Sequence, residues 1–160
     1  MTDNAFTTCL WFDTDGEAAA NYYTSIFKDS RIGRVSRYTE AGPGAAGTAM
    51  AVEFELNGQK FIALNGGPAH ARFTEAISFQ IPCADQDEVD YYWDRLSESG
   101  QEDACGWVKD RYGLSWQVIP TAFVDMISDP DPDKVKRVTE AMFTMTKFDI
   151  AALQKAYAGE

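Results

Sequence analysis

The clearest strand signal in the sequence is the run Gly106-Trp107-Val108-Lys109-Asp110-Arg111-Tyr112-Gly113-Leu114-Ser115-Trp116-Gln117-Val118-Ile119-Pro120. It predicts a strand, a tight turn, and a second strand that stops at Pro120, which has no N–H to donate. Alternation gives the second strand two faces, formed by Leu114, Trp116 and Val118 and by Ser115, Gln117 and Ile119. Gln117 therefore interrupts an apolar strand. It indicates either a sheet face in contact with water or the wall of a ligand cavity.

Two stretches of the chain follow one plan. The first predicts a strand, a helix and three strands, at 7–12, 16–27, 32–38, 48–56 and 60–64. The second predicts a strand, a helix and two further strands, at 76–82, 85–99, 102–108 and 114–119. Asp15 precedes Tyr22-Tyr23 at the spacing at which Asp85 precedes Tyr92-Trp93, and both Asp residues suit a helix N-terminus. We therefore expect an α+β fold of two βαβββ modules, about 1–68 and 69–128. Chance similarity of two strand–helix openings is the alternative.

Each helix is expected to cover one face of its own sheet with these aromatics, and the opposite faces are expected to line a cleft between the modules. The remaining residues, 129–160, predict a C-terminal helical extension. It opens with Asp129-Pro130-Asp131-Pro132, in which two prolines interrupt regular secondary structure. A helix predicted from Asp133 carries an apolar stripe of Val135, Val138, Met142, Met145 and Phe148. A short helix at 149–157 follows. The stripe is typical of a core, with a partner surface as the alternative.

Composition excludes several classes of function. The net charge of −11 argues against binding nucleic acid or anionic membranes, because phosphates repel an acidic surface. No apolar run reaches the roughly 20 residues of a membrane span. The start Met1-Thr2-Asp3-Asn4 lacks the positive charge of a signal peptide. Cys9, Cys83 and Cys105 form no CxxC pair, so buried, reduced thiols in a cytoplasmic protein are expected.

Several short motifs carry a family resemblance: Asn65-Gly66-Gly67-Pro68, Ser78-Phe79, Glu88-Val89-Asp90-Tyr91-Tyr92-Trp93, Cys105-Gly106-Trp107, Leu114-Ser115-Trp116-Gln117-Val118-Ile119-Pro120, Ser128-Asp129-Pro130-Asp131-Pro132 and Asp149-Ile150-Ala151-Ala152-Leu153. With the βαβββ repeat, they resemble the vicinal oxygen chelate (glyoxalase/bleomycin-resistance) superfamily. The resemblance is closer to its PhnB-like subgroup, whose domain is named 3-demethylubiquinone-9 3-methyltransferase. It covers nearly the whole chain and specifies no reaction.

The resemblance implies a site to test. Metal-dependent members of the superfamily hold a divalent ion with His, Glu or Gln on four strands, inside the cleft. The matching positions here are Thr8, Asn65, Ser78 and Gln117, which are neutral and weak ligands for such ions. A divalent metal is therefore disfavoured and no cofactor is expected. We predict instead that these four residues, together with Trp107, bind an unidentified small molecule.

Other readings stay open. Glu53, if its strand face lines the cleft, is a candidate base with a raised pKa in an enzyme, and a solvated strand face is the alternative. A structural module with a filled cleft is a third hypothesis. The GxGxxG match at 42–47 precedes a strand instead of a helix, so it predicts a hairpin loop and no nucleotide or methyl-donor site. His70 is expected in a surface loop. A homodimer is expected by analogy with the superfamily, with the 138–145 stripe contributing to its interface.

Overall fold

The structure, a computed structural model, describes residues 6–70 and 72–160. The start of the chain at 1–4, which carries the prediction about signal peptides, lies outside the described residues. The chain divides into two compact units, Met1–Ala71 and Arg72–Glu160. Within the described residues, no helix has both the length and the apolar character needed to cross a bilayer.

The first unit is a complete βαβββ module. Its elements are β1 (Thr8–Phe12), α1 (Gly16–Ile26), β2 (Ser30–Arg37), β3 (Ala49–Leu56) and β4 (Gln59–Asn65). The strands lie in the order β1-β4-β3-β2, with β1 parallel to β4 and the other neighbours antiparallel. Asn57 and Gly58 join β3 to β4 with φ values of 48° and 80°. These left-handed values fit the two-residue hairpin that Asn-Gly predicts.

The second unit repeats this topology. Its elements are β5 (Ser78–Cys83), α2 (Gln86–Ser97), β6 (Gln101–Glu102), β7 (Trp107–Lys109) and β8 (Ser115–Pro120), in the sheet order β5-β8-β7-β6. Again the first and last strands are parallel neighbours. The predicted α+β class with two βαβββ modules is confirmed.

The helices cover one face of each sheet, as the sequence predicts. Tyr23 of α1 is fully buried, and its ring stacks on Phe54 of β3 at 6.0 Å between centroids. Tyr92 and Trp93 of α2 are buried in the second unit, and the Trp93 indole donates to a carboxylate oxygen of Glu102 at 3.0 Å. The aromatic pairs thus supply much of the apolar area that holds helix to sheet.

The predicted strand at 102–108 is wrong as one continuous element. Cys105 and Gly106 adopt left-handed φ values of 58° and 79°, which break the strand into β6 and β7. Their N–H groups donate to the carbonyls of Met145 and Thr146, each at 2.8 Å. The backbone leaves the sheet here because it hydrogen-bonds the C-terminal segment instead.

Three helices follow β8 in the second unit: α3 (Thr121–Ile127), α4 (Pro132–Met142) and α5 (Ile150–Ala158). The sequence reading missed α3, because it took Pro120 only as a stop. Proline is also well tolerated at the start of a helix, because the first N–H groups of a helix have no acceptor within it. Pro120 is both the last residue of β8 and the N-cap of α3.

The predicted apolar stripe on one long helix is wrong. Helix α4 ends at Met142, so Met145 and Phe148 lie in the connection to α5. Phe148 is buried against Phe123 at 4.9 Å between ring centroids, and Val138 is fully buried. These residues form the local core of the helical segment. Val138 is therefore withdrawn from the surface, whereas Met142 and Met145 are half-buried, and the contribution of this stripe to a dimer interface stays a prediction.

Candidate functional site

Each sheet has a second face, which we call the open face, made by the residues that alternate with those packed against the helix. On β8, Trp116 and Val118 are buried on the helix side, while Gln117 and Ile119 are half-buried on the open face. On β5 the same alternation places Ser78 and the exposed Gln80 with them. The open face of the second unit is therefore polar and uncharged at its centre.

Gln117 is held in a defined orientation on this face. Its amide Nε2 donates to the Ser78 hydroxyl at 2.7 Å, and its Oε1 accepts from the Gln80 amide at 3.3 Å. Trp107 lies opposite Gln117 on the other neighbouring strand. The structure thus brings together three of the five predicted ligand-binding residues. Their role in binding a ligand stays a prediction.

Thr8 and Asn65 lie elsewhere in the first unit. Alternation along β1 and β4 places them on the helix-covered side, with the buried Leu10 and Phe61. The register pairs Thr8 with Phe61 and Asn65 with Phe12. The two residues are thus four positions apart along the paired strands, about 13 Å. Their predicted ligand-binding role stays untested, and this placement does not favour it.

Thr8 and Ser78 were matched because each lies seven residues before a helix-opening Asp, Asp15 or Asp85. This spacing gives equivalent positions only if the connection from strand to helix has the same length in both units. The first connection has three residues (13–15) and the second has two (84–85). Ser78 consequently lies on an open face and Thr8 does not. The exposed Cys9, paired with Ile62, occupies the open face of β1.

The side chain of Asn65 has a structural role that the sequence did not predict, which is to hydrogen-bond the backbone at two other places in the first unit. Its Oδ1 accepts from the backbone N–H of Gly16 at 2.7 Å, and its Nδ2 donates to the carbonyl of Ala49 at 2.9 Å. The first bond caps α1, whereas Asp15, the predicted cap, makes no side-chain capping bond. Asn65 is 8% exposed, so both bonds are shielded from water.

Charged pairs occupy the open face of the first unit. Glu53 is ion-paired with Arg34 and Glu55 with Arg31, each at 2.5 Å. Both carboxylates line a cavity of about 360 Å³ that also includes Lys60. Glu53 therefore faces a cavity with its carboxylate already neutralised by a guanidinium.

A larger cavity of about 710 Å³ lies at the carboxyl ends of β1 and β4, beside the 42–47 loop. That loop leads into β3, as predicted, and not into a helix. Gly42 and Gly44 lie against the Tyr38 ring, where an added Cβ would approach ring atoms to within 2.6 Å. The Tyr38 hydroxyl donates to the Asn65 carbonyl at 2.6 Å. The glycines therefore allow the loop to pack on Tyr38 and form one wall of this cavity.

The remaining candidates lie at the surface or in the core. His70 is exposed, as predicted, with its ring edge-on to Trp11 at 4.4 Å. Cys83 is buried, and burial first, then the nearby carboxylates of Glu88 and Asp85, raises the pKa of its thiol to about 12. It is therefore a poor nucleophile. The expectation of buried thiols is wrong for Cys9, which is exposed.

The donor set does not fit a divalent metal. Ser78 and Gln117 are neutral and already bonded to each other, while both polar groups of Asn65 serve the first unit's own backbone. Across 6–70 and 72–160, no three His, Cys, Asp or Glu side chains lie close enough to hold an ion.

Asp110 lies in the predicted turn between β7 and β8. Its side chain also hydrogen-bonds a tryptophan of the following strand. Its buried carboxylate accepts from the backbone N–H groups of Tyr112 and Leu114 and from the Trp116 indole at 2.8 Å. The Asp–x–Tyr–Gly turn signal predicts the backbone bonds but not the indole bond, since that depends on which face Trp116 occupies.

Comparison with known proteins identifies the lineage. The family profile described as 3-demethylubiquinone-9 3-methyltransferase matches residues 4–119. No curated protein matches the chain significantly. A PhnB protein from Bacillus cereus that carries the same methyltransferase name is 36% identical, covering 74% of this chain and 100% of that chain, with a TM-score of 0.68.

Two more distant structures show the fold alone. A Pseudomonas aeruginosa protein is 16% identical over 72% of this chain and 96% of that chain, with a TM-score of 0.59. The fosfomycin resistance protein FosX from Mesorhizobium loti is 12% identical over 72% of this chain and 90% of its own, with a TM-score of 0.51.

Proposed function

Because this chain belongs to the 3-demethylubiquinone-9 3-methyltransferase family, in the PhnB-like branch of the vicinal oxygen chelate superfamily, we propose that it binds a small molecule on the open face of its second sheet. The observation that carries the proposal is the fixed amide of Gln117, held between Ser78 and Gln80 beside Trp107. Binding sites typically combine a few oriented polar groups with aromatic surface.

At the centre of this face, the groups that can contact a ligand are neutral. Gln117 uses one amide hydrogen on Ser78 and keeps the other, and Ser78 accepts that bond while keeping its own O–H. Trp107 offers an apolar ring surface on the neighbouring strand. We treat the methyltransferase name as the name of a family, because the glycine-rich loop leads into β3 and presents no helix N-terminus to a cofactor.

A screen of small molecules by thermal shift tests the proposal, followed by calorimetry on Gln117→Leu. We expect the variant to fold normally and to bind any hit roughly fivefold or more weakly, since one net hydrogen bond contributes about 1 kcal/mol. Gln154→Leu, on an exposed position of α5, is the matched control and should bind normally.

Two results would contradict this assignment. Loss of binding in Tyr38→Phe but not in Gln117→Leu would move the site to the larger cavity of the first unit. Stoichiometric metal that survives dialysis of the wild-type protein and is released by Gln117→Leu would replace neutral binding with metal chemistry.

A second candidate function is catalysis assisted by Glu53, and it rests on the cavity that this carboxylate lines. A base role requires Arg34 to move away from the carboxylate when substrate binds. Incubation with a metabolite mixture, read by mass spectrometry, should then show turnover that Glu53→Gln abolishes and Glu55→Gln retains. Equal turnover by wild type and Glu53→Gln would refute this role.

We also propose a homodimer, supported by the two edge strands that each four-stranded sheet has. Such edges carry hydrogen-bonding groups that a second chain can cover. Sedimentation at micromolar concentration should give twice the chain mass of 17.8 kDa. A mass equal to one chain would refute the dimer.

A further inference from the structure

Ser115, the first residue of β8, holds a buried hydroxyl that has no hydrogen-bond partner among the described residues. The residue is 1% exposed. Burying a hydroxyl without a partner costs free energy, because the group loses its bonds to water and gains none in return. Buried polar groups without a partner are uncommon in native structures, so this one calls for a physical explanation.

The position of Ser115 in the sheet relates it to the proposed site. Its neighbours Leu114 and Trp116 are buried on the helix side, so alternation places Ser115 on the open face with Gln117. The register pairs it with Ser78 on β5 and with Lys109 on β7. The hydroxyl thus lies in a row between a second hydroxyl and an ammonium group.

An ion pair spans this part of the sheet. Lys109 of β7 is bonded to Glu75, which lies three residues before Ser78 and therefore on the β5 side. Since β8 separates β5 from β7, the Lys109–Glu75 pair crosses the line of β8 at the end where Ser115 begins. The hydrogen bond from Lys109 is the first cause that lowers the pKa of Glu75, so this carboxyl is ionised at neutral pH.

The groups in this row are mainly donors. Ser115 and Ser78 each have an O–H to give, Gln117 has a second amide hydrogen, and Lys109 carries a positive charge. Glu75 is the acidic partner of that charge, and it lies on a segment outside the sheet. A ligand that complements this row must bring acceptor oxygens, and a carboxylate brings two of them with a charge for Lys109.

We propose that Ser115 is a further ligand-binding residue of this open face, and that the ligand presents a carboxylate which takes the Ser115 hydroxyl and replaces Glu75 as the partner of Lys109. The proposal rests on the proposed function. It explains why the hydroxyl is present and has no hydrogen-bond partner among residues 6–70 and 72–160, since its acceptor arrives with the ligand.

The first test is stability without ligand. Ser115→Ala should unfold at the same or a higher temperature than wild type, because the substitution removes a hydroxyl that makes no hydrogen bond within the described part of the chain. Ser30→Ala is the matched control, since its hydroxyl donates to the carbonyls of Thr24 and Phe27, and it should unfold at a lower temperature. A Ser115→Ala melting temperature that falls as far as that of Ser30→Ala would show an ordinary structural hydroxyl and overturn the proposal.

The second test is binding of three probes matched in shape: phenylacetate, phenylacetamide and phenethylamine. Calorimetry should show phenylacetate binding best, with at least a fivefold loss in Ser115→Ala, a larger loss in Lys109→Met and a gain in Glu75→Gln, which frees Lys109. Tighter binding of phenethylamine, equal binding of phenylacetate by wild type and Ser115→Ala, or no binding of any probe would overturn the carboxylate assignment.

The binding results for the variants distinguish the role of Ser115 from the proposed ligand site around Gln117. If Gln117→Leu weakens phenylacetate binding and Ser115→Ala does not, only the role of Ser115 fails. If phenylacetate binds equally to wild type, Gln117→Leu and Ser115→Ala, the open face is not the site and both proposals fail.

Discussion

The two βαβββ units begin their helices in different ways. In the second unit the cap is local: Asp85 accepts from the N–H of Glu88 at 2.9 Å, and the Glu88 carboxylate accepts from the N–H of Ala84 at 2.9 Å. In the first unit the cap comes from Asn65, at the far end of the module. The same topology is therefore compatible with a reciprocal capping box and with a cap supplied from another strand.

The open faces differ as well. The first unit presents ion pairs between β2 and β3, whereas the second presents hydroxyls, amides and an indole. The two units share one backbone plan and differ in the chemistry of their open faces. The second unit thus combines neutral hydrogen-bonding groups with the single Lys109–Glu75 ion pair at one end, whereas the first carries ion pairs along β2 and β3.

The largest contrast between the units concerns their hairpins. Asp110→Ala should destabilise the protein by about 3–5 kcal/mol, because three donors, two of them buried, lose their acceptor. Asn57→Ala in the corresponding turn should cost about 1 kcal/mol, the penalty of a left-handed φ without a side-chain anchor. Urea unfolding of both variants measures the difference, and equal losses would contradict the assigned role of Asp110.

Asn65→Ala should have the next largest effect, a loss of roughly 2–4 kcal/mol, since the N–H of Gly16 and the carbonyl of Ala49 both lose a buried partner. Denaturant unfolding followed by circular dichroism measures it. Asn65→Asp separates the two bonds, because it keeps an acceptor for Gly16 and loses the donor to Ala49. A variant as stable as wild type would refute the cap.

The two helix-opening aspartates should respond unequally. Asp85→Ala should cost about 1 kcal/mol through loss of its capping bond. Asp15→Ala should stay within about 0.5 kcal/mol of wild type, because its side chain makes no capping bond. Thermal unfolding of the two variants side by side gives the comparison, and a larger loss for Asp15→Ala would contradict it.

The smallest effect is a dependence on pH that arises from the Lys147–Asp90 ion pair of the second unit. The hydrogen bond from Lys147, and then that from Gln86, lowers the pKa of Asp90 below its ordinary value of 3.8. The hydrogen bond with Asp90 raises the pKa of Lys147 above 10.5. The pair should therefore stabilise the fold between these values. Its contribution should be lost as pH falls through the lowered pKa of Asp90 or rises through the raised pKa of Lys147.

Lys147→Gln tests this contribution. The variant should lower the urea midpoint at neutral pH and converge with wild type as the pH falls below the lowered pKa of Asp90, where this carboxyl is protonated in both proteins. Because the pair is largely exposed, added salt should shrink the difference. A difference that is independent of pH and salt would mean that Lys147 acts through packing instead.

The sequence predicted the repeat because period-two strands, turn residues and aromatic helices are local signals. Asn57-Gly58 fixed one hairpin, and the Tyr and Trp pairs marked the buried helix faces. The break at Cys105 and Gly106 had no such signal, because it depends on the carbonyls of Met145 and Thr146, about forty residues away. The local periodicity of a sequence does not predict long-range hydrogen bonds of this kind.

The candidate site was predicted in part for the same reason. Ser78, Trp107 and Gln117 come together because they lie on three neighbouring strands of one sheet. Thr8 lies on the helix-covered face of its own sheet, since one extra residue in the strand–helix connection moves every side chain of the strand to the opposite face. Ser115 was read only as a face residue, because burial of its hydroxyl depends on its neighbours in space.

The capping difference also has a consequence for the order of folding. The bond that opens α2 closes over three residues, so it can form while the chain is still extended elsewhere. The bond that opens α1 spans 49 residues and exists only after β4 has docked, at a loop-closure cost that grows with the logarithm of the span. Asp85→Ala should therefore slow folding, whereas Asn65→Ala should mainly speed unfolding. Two modules of the same topology would then acquire their helices at opposite ends of the folding reaction.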